Sequence, residues 1–179
     1  MEKEVIISAS SEVPSDIKEL RDFYDYWIEL SGGGGVPSVD AIDPARLQRD
    51  NSNLAEMELK FPHNEIYFKS AGELINELAN CDVAGLQCAD VYGGPNWVAF
   101  RDILWDVAKT GVPGHVTQGY HSRAGKDYLM ESIILPFLNE NGLPKLLHSL
   151  TYAHDKDYQW PSYDEGGFIR HHHLVEDTN

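Results

Sequence analysis

Three long extended segments in the C-terminal part of the chain most restrict what it can fold into. They span 114–122, 127–138 and 144–154. Turn-forming residues separate them, Arg-Ala-Gly-Lys at 123–126 and Asn-Glu-Asn-Gly at 139–142. Extended segments joined by short turns pair as neighbouring antiparallel strands. The pattern therefore predicts a meander of three long strands.

Two shorter extended segments precede the meander. They span 54–60 and 64–70, and a Pro-His-Asn turn at 62–64 separates them. The aromatic pair at 67–68 is typical of a pleated, half-buried surface. Together with the meander, these segments predict a five-stranded antiparallel sheet.

The N-terminal part of the chain carries an apolar pattern with helical spacing. Apolar residues recur at three- and four-residue steps between Ile17 and Leu30, which predicts an amphipathic helix over 15–31. Asp16 and Glu19 have the spacing of a capping box, in which each side chain bonds a free backbone N–H at the start of a helix. Four glycines at 32–35 end this helix.

Another helix is predicted between the two groups of strands. Apolar residues from Trp97 to Ala108 recur at helical spacing, and Gly111 and Pro113 follow them. Two strands and three strands separated by helices predict an α+β domain with the helices on one face of the sheet. The predicted limits are a flexible lead-in at 1–14, one domain at 15–154, and an aromatic and acidic C-terminal tail at 155–179.

The composition restricts the classes of partner. The chain has 179 residues and a formal charge of −15, from 14 Lys and Arg against 29 Asp and Glu. An acidic surface repels phosphate backbones and anionic lipids, so we expect neither nucleic acid nor a membrane as a partner. No run of about 18 apolar residues is present, and acidic residues stand where a signal peptide requires basic ones. These features predict a cytoplasmic protein.

The element order and several short motifs resemble a bacterial subfamily of small PAS domain proteins. A Tyr-Trp pair at 26–27 is followed by Val-Pro-Ser at 36–38 and Asp-Ala-Ile-Asp-Pro at 40–44. Tyr-Phe-Lys-Ser-Ala-Gly at 67–72 is similar to the strand of that subfamily that precedes a helix. Glu-Ser-Ile-Ile-Leu-Pro-Phe at 131–137 is similar to its Glu-x-x-x-Leu-Pro-Leu strand. The resemblance implies a PAS-like α+β fold.

The same resemblance implies a function. It indicates a stand-alone sensory or protein-interaction module in bacterial signal transduction, and not an enzyme. A PAS sheet curves around its long helix and can enclose a cavity for a small apolar ligand. The residues predicted to line that cavity come from the long helix and the meander: Trp97, Phe100, Arg101, Leu104, Val116, Tyr120, Met130, Ser132 and Tyr152.

The sequence argues against haem, flavin and a metal ion as cofactors. The long helix, which supplies the haem ligand in haem-binding PAS proteins, has no histidine. Asn80-Cys81 and Gly85-Leu86-Gln87 are similar to a light-sensing motif, but their spacing differs from it by two residues. The imidazoles at 171–173 are adjacent in an extended segment and point to alternating sides, so we expect them not to converge on one ion.

The N-terminal helix carries more apolar surface than one face can bury. We expect it to pair two protomers in a symmetric homodimer. The predicted interface residues are Leu20, Phe23, Tyr24, Trp27 and Ile28. An unidentified signalling protein is the other expected partner.

Two alternative functions stay open on the sequence alone. One is a small enzyme with a cone-shaped, NTF2-like fold, in which Asp127 or Glu131 forms an acid–base pair with His115 or His121. The other is a structural adaptor with a packed interior and no ligand.

Overall fold

The computed structural model describes residues 6–10, 12–92, 97–121, 127–154 and 169–174. Five α-helices are present in these ranges: α1 Lys18–Ser31, α2 Pro44–Leu47, α3 Glu73–Ala79, α4 Cys88–Val91 and α5 Trp97–Thr110. The strands are β1 Ile6–Ser10, β2 Leu54–Lys60, β3 Glu65–Ala71, β4 Gly114–His121, β5 Asp127–Phe137, β6 Leu146–His154 and β7 Ile169–Leu174. Short 3-10 helices span Val39–Ala41 and Gln48–Asn53.

The strands form one mixed sheet in the order β1-β7-β4-β5-β6-β2-β3. The β2–β3 pair and the β4–β5–β6 meander are antiparallel, as the sequence predicts. The prediction of only five strands is wrong, because β1 and β7 extend the sheet beyond β4 and pair with each other in parallel. An unpaired β4 would expose a row of backbone donors and acceptors, and β7 satisfies them. These two strands lie in the segments that we predicted to be a lead-in and a tail.

Helices cover both faces of the sheet, so the prediction that they lie on one face is wrong. On the first face, called the α5 face, α3, α4 and α5 pack against a buried cluster that includes Met57, Phe68, Val116, Ile134 and Leu147. On the second face, called the α1 face, α1 packs against another cluster. The strand residues of that second cluster include Ile133, Leu135, Phe137, Leu146 and Leu150.

The physical reason is the apolar character of β5 on both sides. Successive side chains of a strand point to opposite faces. In β5, Ile133 and Leu135 therefore point to the α1 face and Ile134 points to the α5 face, and all three are fully buried. A central strand that is apolar on both faces needs a covering layer on each.

The start of α1 differs in detail from the predicted capping box. The helix begins at Lys18, and its N-cap residue Ile17 makes no side-chain capping bond. Instead, the backbone N–H of Ile17 donates to Ser15 Oγ at 3.1 Å. The end of the helix follows the sequence, because Gly32 adopts a left-handed conformation with φ 59° that favours glycine.

The side chains predicted to form a dimer interface are used inside one protomer. Leu20, Phe23, Tyr24 and Trp27 are buried, and Ile28 packs against the same cluster on the α1 face. The indole Nε1–H of Trp27 also donates to the carbonyl oxygen of Pro136 at 2.8 Å. The sheet therefore takes the apolar face of α1, and of these five residues only Ile28 is partly exposed.

None of the described helices has both the length and the hydropathy that crossing a lipid bilayer requires.

Candidate functional site

The α5 face brings together most of the residues predicted to line a ligand site. Phe100 and Leu104 of α5 and Val116 of β4 belong to one buried cluster, and Trp97 packs against it. Met130 and Ser132 are also buried. Because they alternate with Glu131 and Ile133 in β5, they point to the α5 face, as Ile134 does.

Two of the predicted residues do not join this group, and the side-chain position of a third is not described. Tyr152 packs against the cluster on the α1 face, opposite α5. Arg101 lies on α5, where its guanidinium forms a 2.7 Å ion pair with the neighbouring Asp102 at the surface. The side chain of Tyr120 lies outside the described part of the chain.

A row of buried polar side chains crosses the α5 face beside these apolar residues. Ser132 Oγ lies 2.8 Å from Thr151 Oγ1, and Thr151 Oγ1 lies 3.3 Å from Ser149 Oγ. Gln118 of β4 lies opposite Met130 and is also buried. The strand register explains this row, because Ser132 pairs directly with Thr151. Sequence reasoning found Ser132 but missed the other three, whose small or amide side chains alternate with apolar ones.

Aromatic rings lie at the N-terminal end of α5. Tyr92 stacks on Trp97 with a ring-centroid distance of 5.7 Å and an interplanar angle of 8°. It also contacts Phe100 edge-to-face and Phe68 at a tilt. The α5 face therefore combines an aromatic end, apolar aliphatic side chains and a line of hydroxyl groups.

The comparison with known families agrees with this geometry. The family model for the PAS domain matches residues 16–151, which is most of the chain. The chain belongs to the PAS domain family. Among curated proteins, none matches the sequence of this PAS domain protein at a significant level.

Solved structures with low sequence identity share the fold. A light-oxygen-voltage domain studied with a flavin analogue is 15% identical with a TM-score of 0.51, and the match covers 64% of this chain and 85% of that one. The Vibrio cholerae VqmA dimer without its target DNA is 12% identical with a TM-score of 0.52, covering 67% of this chain and 55% of VqmA. VqmA bound to DPO is 14% identical with a TM-score of 0.50, covering 62% and 56%.

The α1 face of this PAS domain holds a half-buried carboxylate with three hydrogen-bonding neighbours. Glu131 Oε2 accepts from Ser15 Oγ–H at 2.6 Å and lies 3.3 Å from His115 Nε2. Glu131 Oε1 lies 3.0 Å from His154 Nε2. Burial raises the pKa of Glu131, but the hydrogen bonds from His115 and Ser15 and the charges of the two imidazoles lower it, so the pKa lies below its ordinary value.

The arrangement around Glu131 bears on the alternative of an enzyme with a cone-shaped fold. Glu131 does contact His115, as that alternative requires. However, the family match identifies a PAS domain, and the pair faces α1, where Ser15 occupies the third position around the carboxylate. The other two candidates, Asp127 and His121, pair with each other across β4 and β5, and their side chains lie outside the described residues.

Glu131 joins the segment before α1 to β4 and β6, so its loss should weaken the whole α1 face. We expect Glu131→Gln to lower the free energy of unfolding by about 1–2 kcal/mol, because buried His115 and the Ser15 hydroxyl lose a charged acceptor. Urea denaturation followed by circular dichroism measures this change. Glu77→Gln, which removes the same charge from an exposed position on α3, is the control. Equal stability of the two variants would contradict the role of Glu131.

A second group of ionisable side chains lies where α5 meets β7. The structure places Asp106 of α5 beside His171 and His173 of β7. The adjacent imidazoles do alternate, as the sequence predicts, with His172 near His115 on the other face. The sequence interpretation missed that His171 and His173, two residues apart, lie on the same face of a strand. It had assigned 169–174 to a tail without a sheet partner.

Proposed function

We propose that this PAS domain is a sensory module that binds a small, mostly apolar ligand between α5 and the sheet. The ligand carries at least one hydrogen-bonding group. The observation that supports this proposal is the row of buried hydroxyls formed by Ser132, Ser149 and Thr151, which lies beside Phe100 and Leu104 on one face.

Packing considerations favour a binding role for this row. Burying a hydroxyl costs free energy unless it is hydrogen-bonded, and apolar side chains of similar size would fill the same space without that cost. Ligand sites combine a mostly apolar lining with a few polar groups that fix orientation. Hydroxyl groups that bond each other in the absence of a ligand can instead bond a polar group of that ligand.

We further propose that ligand binding is transmitted by association, either with another copy of the chain or with a signalling protein. A ligand shifts a protein toward the conformation that it binds more tightly. In this fold the ligand would contact α5 and two central strands, β5 and β6, that also carry the cluster under α1. A change on the α5 face therefore has a direct route to the opposite face through shared strands.

Native mass spectrometry of the freshly purified protein tests the ligand proposal. We expect a mass above that of the polypeptide, which disappears under denaturing conditions, and a retained molecule that can be extracted and identified. The double variant Ser132→Ala and Thr151→Val should retain much less of it, because the first change removes a hydroxyl and the second replaces one by a methyl group of similar size. Ser70→Ala, at an exposed position in β3, should retain the normal amount.

Two outcomes would oppose the proposal. The first is a native mass equal to that of the polypeptide, together with no increase in melting temperature from any member of a chemically diverse set of small molecules. That outcome would favour the structural adaptor with a packed interior. The second is equal retention by the double variant and the wild type, which would place any retained molecule elsewhere.

A further inference from the structure

Two imidazoles and a carboxylate converge at the junction of α5 and β7. One ligand atom from each of Asp106, His171 and His173 lies within 4.8 Å of the others. Nε2 of His173 is 3.1 Å from Oδ2 of Asp106. The two imidazole rings have a centroid distance of 4.5 Å. These three side chains are called the α5–β7 cluster below.

The sheet register explains why the cluster forms. His171 lies opposite Val116 and His173 lies opposite Gly114, so both imidazoles point to the α5 face, as Val116 does. Gly114 provides the space for one of them. A Cβ atom at this position would lie 2.7 Å from His171 Nε2, and only the absence of a side chain permits this approach.

One imidazole nitrogen of the cluster has no partner. His171 is 1% exposed, and its Nε2 makes no hydrogen bond within the described part of the chain, whereas Nε2 of His173 faces the carboxylate of Asp106. A buried imidazole nitrogen without a partner costs free energy. A cation at the centre of the cluster would satisfy both nitrogens and also the carboxylate that faces them.

We propose that Asp106, His171 and His173 bind one divalent transition-metal ion of the zinc class. Two nitrogen ligands and one carboxylate oxygen are a donor set that zinc and neighbouring first-row ions prefer over magnesium or calcium. Metal–ligand bonds of about 2.0–2.1 Å place neighbouring ligand atoms roughly 3.3 Å apart. Oδ2 of Asp106 and Nε2 of His173 already lie 3.1 Å apart, so any adjustment concerns His171, whose ligand atom lies within 4.8 Å of theirs. The side chains of Asp106 and His173 are partly exposed, which gives room for this adjustment and leaves an open side for a water ligand.

The ion would tie the edge of the sheet to the long helix. Within the described strands, β1 pairs with β7, and β7 pairs with β4. A metal ion that links β7 to Asp106 of α5 would therefore hold both strands in place. This inference is independent of the ligand proposed for the α5 face and can fail without affecting it.

A titration of the full chain with Co²⁺ tests the site, because the visible absorption of bound cobalt reports its coordination. We expect one equivalent to bind, with an absorption spectrum typical of four or five ligands, and Zn²⁺ to displace it. Asp106→Asn and His173→Gln should each weaken binding by at least about tenfold, since loss of even an outer-shell partner costs that much. Both positions are partly exposed, so both variants should fold.

His172→Gln is the matched control. It removes an imidazole from the same run of three, but His172 lies on the other face, near His115. Unchanged Co²⁺ affinity in this variant supports the α5–β7 cluster. If His172→Gln weakens binding as much as His173→Gln, the ion binds adventitiously to the histidine run and the proposal is overturned. Unchanged affinity in Asp106→Asn, or no cobalt binding by the wild type, also overturns it.

Discussion

Replacing Trp27 with alanine is expected to lower the free energy of unfolding by about 3–5 kcal/mol. The side chain is buried between α1 and the sheet, and its indole N–H donates to the carbonyl oxygen of Pro136. The substitution removes the largest side chain of α1 and leaves a cavity in the cluster on the α1 face. Urea denaturation followed by circular dichroism measures the loss. Trp27→Phe should lose less stability than Trp27→Ala, because it keeps an aromatic ring in the cluster and gives up only the hydrogen bond and part of the ring volume.

The same variant separates two interpretations of α1. If the helix packs on its own sheet, Trp27→Ala lowers the stability of the protomer at every protein concentration. If Trp27 instead contacted a second protomer, the variant would shift a dimer toward monomers in light scattering and leave the stability of the monomer unchanged, which would contradict the structure. Val98→Ala, at a position that is 55% exposed on α5, is the control and should change the unfolding free energy by less than about 0.5 kcal/mol.

The sequence predicted the long elements of this fold because their patterns are local. The meander strands and α5 have a hydrophobic period that a window of ten residues reveals. The sequence also contained a pattern that predicts the second covering layer. The run Ile-Ile-Leu at 133–135 is continuous rather than alternating, which is typical of a strand buried on both faces. That run required apolar helices on both sides, and α1 provides one of them.

The edge strands could not be predicted from local patterns. The segment Ile-Arg-His-His-His-Leu at 169–174 has no apolar alternation, and a long polar and aromatic segment separates it from the meander. Its place in the sheet depends on pairing with β4, more than fifty residues earlier in the chain. This long-range pairing determines which residues of 169–174 lie beside Asp106. The α5–β7 cluster could therefore not be predicted from the sequence.

The residues of the proposed ligand site were predicted through the family resemblance, and the misplacement of Tyr152 has a simple cause. Tyr152 was expected on the α5 face, but the register of β6 pairs Thr151 with Ser132 and directs Tyr152 to the α1 face. Because side chains alternate along a strand, an error of one residue in the register moves all the side chains of that strand to the other face. This error did not affect the prediction for Phe100 and Leu104, because they lie on a helix and the helical spacing places them on one face.

Acid should destabilise this protein in part through a single buried imidazole. His148 of β6 lies on the α1 face against the ring of Phe137, with a centroid distance of 4.8 Å. Neither ring nitrogen has a hydrogen-bond partner in the described part of the chain. Burial lowers the pKa of His148 to about 4; Glu56, opposite it on β2, raises the pKa, and Lys69 of β3 lowers it.

The direction of the pH dependence follows from this lowered pKa. In the unfolded chain the imidazole takes up a proton below about pH 6.5, whereas in the folded protein it stays neutral until about pH 4. The contribution of His148 to stability is therefore complete above pH 6.5 and decreases as the pH falls toward 4. Between pH 7 and pH 5 the loss amounts to about 2 kcal/mol.

His148→Leu should remove this part of the acid sensitivity. Leucine has no titrating group and fills most of the space beside Phe137, so the variant is expected to lose about 2 kcal/mol less than the wild type between pH 7 and pH 5. Urea denaturation at both pH values measures the difference, and contributions from the other ionisable groups are common to both proteins and cancel. His63→Leu, in the exposed turn between β2 and β3, should retain the wild-type dependence. If His148→Leu loses as much stability as the wild type, the imidazole is not buried in its neutral form, and β6 does not bury it beneath α1.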